Sequence, residues 1–245
     1  SVTDVRTGDR VACLSGNAFA EFDVAAARAV VKLPEELGEM PFPGEAMGCA
    51  MNVFRRSAVA AGDTVAIVGV GFLGALLTQL ASQAGARVIA VSRRPYALEV
   101  ARRCGAAETV AMAEDGAVIE TVRELTDGRM CDVVMEVVGL QRALDVAGEL
   151  TRERGRLVIA GFHQDGPRQV NMFLWNWRGL DVINAHERDP AVYVQGMEAA
   201  VSAVMTGVLN PASLYTHEFP LDRAGDALDV MRTRPHGFLK ALVRT

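Results

Sequence analysis

The sequence predicts an α/β protein built on a doubly wound parallel sheet, preceded by a few small β strands. Three observations carry this. Short apolar runs, such as 64–68 (TVAIV), 87–91 (RVIAV) and 132–137 (DVVMEV), alternate with stretches of helical length. Continuously apolar strands are those covered on both faces, as in parallel sheets whose crossovers are helices. The turn Gly69-Val70-Gly71-Phe72-Leu73-Gly74 joins the first of these runs to the next helical stretch. Finally, 50% of the residues are hydrophobic and 22% charged, which supports a sizeable core and argues against disorder.

Taken in order, residues 1–35 read as small half-buried strands, GDRVACL, AFAEFDV and AVVKLP, broken by Gly, Asn and Pro. They are too few to close a barrel or sandwich, so their edges need a partner. From about residue 42 strand and helix alternate. The stretch 46–59 reads as a helix with Met47, Met51 and Phe54 on one face. Strand 64–68 and helix 72–85 follow, the helix ended by glycine. Strand 87–91, helix 95–104 stopped by Gly105, strand 109–112 and helix 117–125 come next. Strand 132–137, helix 141–150 and strands 156–160 and 180–185 complete the series. Beyond Asp189 the pattern gives a long helix over 193–205, a strand-like 215–219, a helix over 221–232 and a last strand over 238–243.

Charge and cysteine usage exclude several classes. Lys plus Arg total 25 against 30 acidic residues, a net charge of -5, which argues against a nucleic-acid binder. Cys13, Cys49, Cys104 and Cys131 are scattered without a CxxC pair, which argues against a disulfide framework and for a reducing cytoplasm. The most apolar segment, 65–81, holds Gly69, Gly71 and Gly74 as well as Thr78 and Gln79, and falls short of the about 20 residues that span a bilayer. No membrane partner is expected. The start, SVTDVRTGDR, shows no leader pattern and lacks Met, which suggests a processed chain or a piece of a longer one.

The glycine turn fits G-x-G-x-x-G in its required setting, after an apolar strand and opening a helix. Gly69 permits the tight turn, Gly71 lets a pyrophosphate approach the backbone, and Gly74 lets helix and strand pack closely. Free N–H groups and the positive end of the helix dipole then face phosphate. The alternative is a packing turn without a ligand. A carboxylate about 20 residues further on would hold the ribose 2′-hydroxyl of NAD. The second strand ends instead in Ser92-Arg93-Arg94, with no Asp or Glu before Glu99. A hydroxyl and two guanidiniums suit a 2′-phosphate, so the sequence predicts NADP(H) over NAD(H). The bland reading makes both arginines solvated residues at a helix start.

Several patches, in matching order and spacing, resemble the medium-chain dehydrogenase/reductase superfamily in its zinc-type alcohol/polyol dehydrogenase branch. They are GDRVA with AFAEF and VVKLP; GEAMGCAMNVFRRSAVAAGDTVAIVGVGFLG; DVVMEVVG; GRLVIAGF; and FPLDRAGDALDVM with GFLKALV. The resemblance implies a Rossmann cofactor domain over 41–190. It also implies a partial GroES-like β domain made of 1–40 and a return over 191–245. Members begin with a longer stretch that holds a Cys and a Gly-His-Glu motif supplying zinc ligands. This chain has neither, so the resemblance implies a shortened chain and leaves zinc and catalysis open, with no catalytic residue assigned.

By resemblance, Glu45 falls where relatives carry a residue near the zinc, and Cys49, one helical turn later, could substitute. A catalytic zinc needs about three protein ligands and an open position. The bland readings are a helix-start carboxylate for Glu45 and a small core thiol for Cys49. Gly139 and the turn at Gly161 and Phe162 fall near the nicotinamide ribose, and Lys240 near the cofactor phosphates. The loops carrying His163-Gln164-Asp165, Trp175-Asn176-Trp177-Arg178 and His186 are polar and aromatic. There His163 and His186 are candidate contacts, or structural hydrogen-bonders. The edge near 180–185 is where family dimers pair, so a homodimer or homotetramer is expected. The leading expectation is an NADP(H)-dependent oxidoreductase that interconverts a small alcohol, with a polyol or sugar favoured, and a carbonyl by hydride transfer, zinc-assisted in the intact protein. The alternatives are a zinc-independent quinone or enoyl reductase, and a nucleotide-binding remnant without chemistry.

Overall fold

The computed structural model describes residues 4–17 and 19–245. The chain divides into two compact units, one of residues 53–186 and the other of residues 1–52 with 187–245. The first helix, α1 (Gly44–Ser57), runs through the boundary at Asn52.

In the unit of residues 53–186, strands β3 (Thr64–Val68), β4 (Arg87–Ser92), β5 (Glu108–Ala111), β6 (Cys131–Glu136), β7 (Thr151–Ile159) and β8 (Asp181–Asn184) form one sheet in the order β5-β4-β3-β6-β7-β8. Every pairing in it is parallel. The apolar runs do what their composition requires: β3 from Val65 onward and all of β6 are buried. Helices α2 (Phe72–Gln83), α3 (Pro95–Arg103), α4 (Asp115–Leu125) and α5 (Gln141–Leu150) make the crossovers. The core joins Ile89, Val110, Val118, Val134, Leu144, Leu150 and Leu157. Strand order reverses between β3 and β6, and at such a switch point the carboxyl ends of the strands open a crevice for ligands. This is the doubly wound α/β architecture that the sequence predicts.

The other unit is built around Met197, which packs with Ala12, Val31, Leu33 and Leu37. Strands β1 (Val11–Cys13) and β2 (Val30–Lys32) pair antiparallel. Strands β9 (His217–Pro220) and β10 (Ala241–Arg244) pair parallel. The long helix α7 (Pro190–Met205) is capped by the Asp189 side chain on the Ala191 N–H, and α8 (Ala224–Thr233) packs on β9 and β10.

Three expectations are corrected. The stretch AFAEFDV is not a strand: residues 19–24 are bends and irregular backbone, while Ala18 lies outside the described residues. Phe22 and Val24 are 89% and 87% exposed, so nothing in this unit buries the apolar face that would hold a strand in place. The final strand is shorter than 238–243; Phe238 and Leu239 are instead buried before it begins. The Trp-bearing stretch is not a loop but a helix, α6 (Met172–Arg178). Asn171 accepts the Leu174 N–H at its start, and Gly179, at φ +59°, ends it.

Candidate functional site

The glycine turn sits at the carboxyl end of β3, beside the switch point. Gly69 adopts φ +108°, and a Cβ there would fall 2.5 Å from Val138 Cγ2. A Cβ on Gly74 would lie 2.0 Å from the Gly69 carbonyl oxygen, so only glycine lets α2 approach the turn it follows. At Gly71 a Cβ would meet no protein atom within 4 Å. The backbone there faces open space, and α2 starts without a side-chain cap. Turn and helix start can therefore receive a phosphate with main-chain N–H groups.

The basic strand end reaches this turn. Arg94 Nη2 donates to the Val70 carbonyl oxygen at 3.3 Å, and the Arg94 N–H lies 3.4 Å from Ser92 Oγ. Ser92 is buried, Arg93 exposed. Of the three predicted residues, Arg93 is thus the solvent-facing cation, Arg94 spans from β4 to the turn, and Ser92 supports the start of α3.

The ends of β6 and β7 close around a fully buried carboxylate. Glu136 Oε1 accepts the N–H groups of Val138 at 2.7 Å and Gly139 at 2.8 Å. Its backbone carbonyl accepts those of Ala160 and Gly161. Gly139 adopts φ +81°, and a Cβ there would lie 2.6 Å from the Phe162 carbonyl oxygen. A Cβ on Gly161 would lie 2.2 Å from the Gly139 nitrogen. Gly139, Gly161 and Phe162 are therefore brought together as one tight double turn. Phe162 is 66% exposed and stacks on His186, ring centroids 5.6 Å apart. His163 turns inward, its Nε2 3.0 Å from Glu136 Oε2 and its Nδ1 accepting from Arg168 Nε at 2.8 Å. Its place is that of a structural hydrogen-bonder. Sequence reading missed Glu136 and Arg168; the visible signal was an acidic residue inside an apolar strand.

Trp175 is only partly exposed and packs against the core below α5, where a Cβ on Gly148 would touch its Nε1. Trp177 is 76% exposed and stacks on Phe173. Neither belongs to the glycine-turn cluster.

Glu45, Cys49 and Lys240 lie in the other unit and face one another electrostatically. Burial, aided by the Glu45 carboxylate, pushes the Cys49 thiol up to about 11. Burial lowers the Lys240 ammonium, with Glu45 opposing. Burial, with Cys49, Glu45 and Glu187, raises the Tyr193 phenol. Glu45 and Tyr193 also border an open cavity of about 780 Å3 lined by Leu14, Val24, Ala29 and Arg188. Among the described residues no three His, Cys, Asp or Glu side chains are grouped to hold a metal ion. Glu45 and Cys49 alone do not fit a catalytic zinc. Among the described residues no helix is long and apolar enough to cross a membrane.

A parallel sheet with a glycine turn at its switch point and a basic strand end beside it defines a Rossmann-type α/β domain. The family model described as zinc-binding dehydrogenase matches residues 73–202. The chain belongs to that family, within the medium-chain dehydrogenase/reductase superfamily. It is 29% identical over 188 residues to the erythritol/L-threitol dehydrogenase of Mycolicibacterium smegmatis, covering 76% of this chain and 50% of that one. It is 26% identical over 227 residues to the sorbitol dehydrogenase of Halalkalibacterium halodurans, covering 88% and 65%. Among solved structures, a protein of Sinorhizobium meliloti bound to NADP superposes with TM-score 0.76 at 26% identity, covering 93% of this chain and 66% of that one. The chain spans about half the length of the first curated relatives it matches.

Proposed function

We propose that this chain is the cofactor-binding part of an NADP(H)-dependent oxidoreductase that interconverts a small alcohol, a polyol or sugar, and its carbonyl. Its relatives are dehydrogenases of such compounds, and a similar structure holds NADP. The observation that carries the reading is Arg94 bridging the end of β4 to the glycine turn, with Arg93 exposed beside it and no carboxylate at that strand end. The nicotinamide would accept or supply the hydride. The protein's part is orientation: the turn holds the pyrophosphate, the arginines hold the 2′-phosphate, and the Gly139–Phe162 double turn receives the nicotinamide end. Zinc assistance requires ligands beyond the described residues, to which Glu45 or Cys49 would add one. A zinc-independent reductase of the same superfamily is separated from this reading by zinc content and alcohol oxidation in the whole protein. A homodimer through the β8 edge is part of the proposal. It is supported by Val182, exposed on that edge strand.

The test is an equilibrium titration with NADPH and NADH, followed by nicotinamide fluorescence. NADPH is expected to bind at least about tenfold tighter, and Arg93→Ala with Arg94→Ala to erase that difference, since charge-assisted contacts to one phosphate carry about that much. NADH binding as tightly as NADPH would refute the arginine argument. Binding of neither would refute the cofactor reading for this chain.

A further inference from the structure

Three side chains around Gly139 form a closed hydrogen-bonded ring. Glu136 takes the Gly139 N–H at 2.8 Å, and Arg168 Nη2 donates to the Gly139 carbonyl oxygen at 2.8 Å. Between them His163 joins Arg168 Nε to Glu136 Oε2. All three are shielded from water: Glu136 is fully buried, and the His163 and Arg168 side chains are 15% and 14% exposed. The ring fixes the state of the imidazole. Arg168 Nε can only donate, so His163 Nδ1 must offer a lone pair, and the single ring proton sits on Nε2 and is donated to Glu136.

Gly139 must be glycine, because its φ is +81° and the Phe162 backbone leaves no room for a Cβ. A glycine with that freedom does not hold its own shape. We infer that Glu136, His163 and Arg168 are positioning residues that lock the Gly139 peptide in its cofactor-receiving form. The inference rests on the dinucleotide reading above, which assigns the nicotinamide end to this turn. His163 is no general base here: both of its ring nitrogens are engaged within the ring.

The charged groups that face the imidazole are the Glu136 carboxylate on one side and the Arg168 guanidinium on the other. Asp165 lies beyond, paired with Arg168, whose hydrogen bond holds the Asp165 carboxyl below its usual range.

The experiment titrates the full chain with NADPH and with NADH at pH 8. His163→Leu, which breaks the ring, should raise the dissociation constant about tenfold for both ligands, the loss expected for one well-made hydrogen bond and its charge assistance. His163→Gln can donate to Glu136 and accept from Arg168, so it should restore binding to within about threefold of wild type. Arg168→Met should lose about tenfold. Unfolding midpoints measured alongside identify any variant that fails to fold; if His163→Leu fails, Arg168→Met decides. Wild-type affinity in His163→Leu or Arg168→Met, or no recovery in His163→Gln, would overturn the inference while leaving the dinucleotide reading intact. Wild-type chain that binds neither ligand at pH 8 takes down both.

Discussion

Strand β6 carries two buried carboxylates four residues apart, and the protein treats them in opposite ways. Asp132, at the amino end, is gripped by charge: Arg129 and Arg152 both lie 2.7 Å away, and the Thr64 N–H adds a third donor. Glu136, at the carboxyl end, is gripped by two backbone N–H groups and a histidine, within turns where Gly139 and Gly161 leave no room for a Cβ. The first arrangement ties strands together and can be remade by any strong ion pair. The second shapes backbone to sub-ångström tolerance at the end of the sheet where ligands bind. One strand thus separates an anchor from a receptor.

The sharpest way to break this comparison is at the glycines of the receptor end. Gly161→Ala drives a Cβ to 2.2 Å from the Gly139 nitrogen and 2.5 Å from Glu136 Oε2. Neither can yield, so urea unfolding should show a loss of about 3 kcal/mol and NADPH affinity should collapse. Gly71→Ala is its counterpart. The new Cβ meets no protein atom and the backbone there is extended, so stability should stay within about 0.5 kcal/mol. NADPH affinity should nonetheless fall at least about tenfold, because the methyl group stands where the pyrophosphate must approach. Equal losses of stability in both variants would show that the turn is packing and nothing more.

Those glycines were legible in the sequence because the G-x-G-x-x-G spacing and the flanking apolar strand are local features. So was the sheet, whose strands are encoded by runs that need burial on both faces. The Glu136–His163–Arg168 ring was not legible: its members come from β6 and the stretch after β7, and no local pattern announces which polar residues will meet. Helix α6 was missed because seven residues are too few for a periodic signal, although Asn171 and Gly179 frame it with a cap and a stop. AFAEFDV misled for the converse reason. It has the composition of a strand, but strand formation depends on neighbours that lie outside the segment.

The anchor end yields the middle-sized effect and a pH signature. Burial alone would raise the Asp132 carboxyl, but the Thr64 N–H and the Arg152 and Arg129 guanidiniums outweigh it and hold the group below its ordinary value. A folded-state value below the unfolded one, about 3.9, means the stabilisation is present above that value and is lost as pH falls through the folded-state value. Asp132→Asn should therefore cost about 2 kcal/mol at pH 7 by urea unfolding. It should also lose less stability than wild type on acidification below about pH 4. NADPH affinity at pH 7 should be unchanged, since the anchor and the receptor sit at opposite ends of β6. A large loss of affinity in Asp132→Asn would erase the distinction between them.

The smallest effect extends the comparison to the other unit, where the Glu45 carboxylate faces a thiol. Burial first, and Glu45 second, push the Cys49 thiol up to about 11, so almost none of it is thiolate at neutral pH. Its alkylation by iodoacetamide, read by peptide mass spectrometry, should climb about tenfold per pH unit through the range below that value. Glu45→Gln removes the lesser of the two causes. It should speed the reaction by no more than about threefold at fixed pH, because a carboxylate open to solvent acts on its neighbour through a strongly screened field. Burial, which the substitution leaves in place, remains the dominant brake. A jump of tenfold or more would reverse that ranking and make Glu45 a true partner of Cys49, giving this unit a coupled pair of its own comparable to the buried carboxylate at the receptor end of β6.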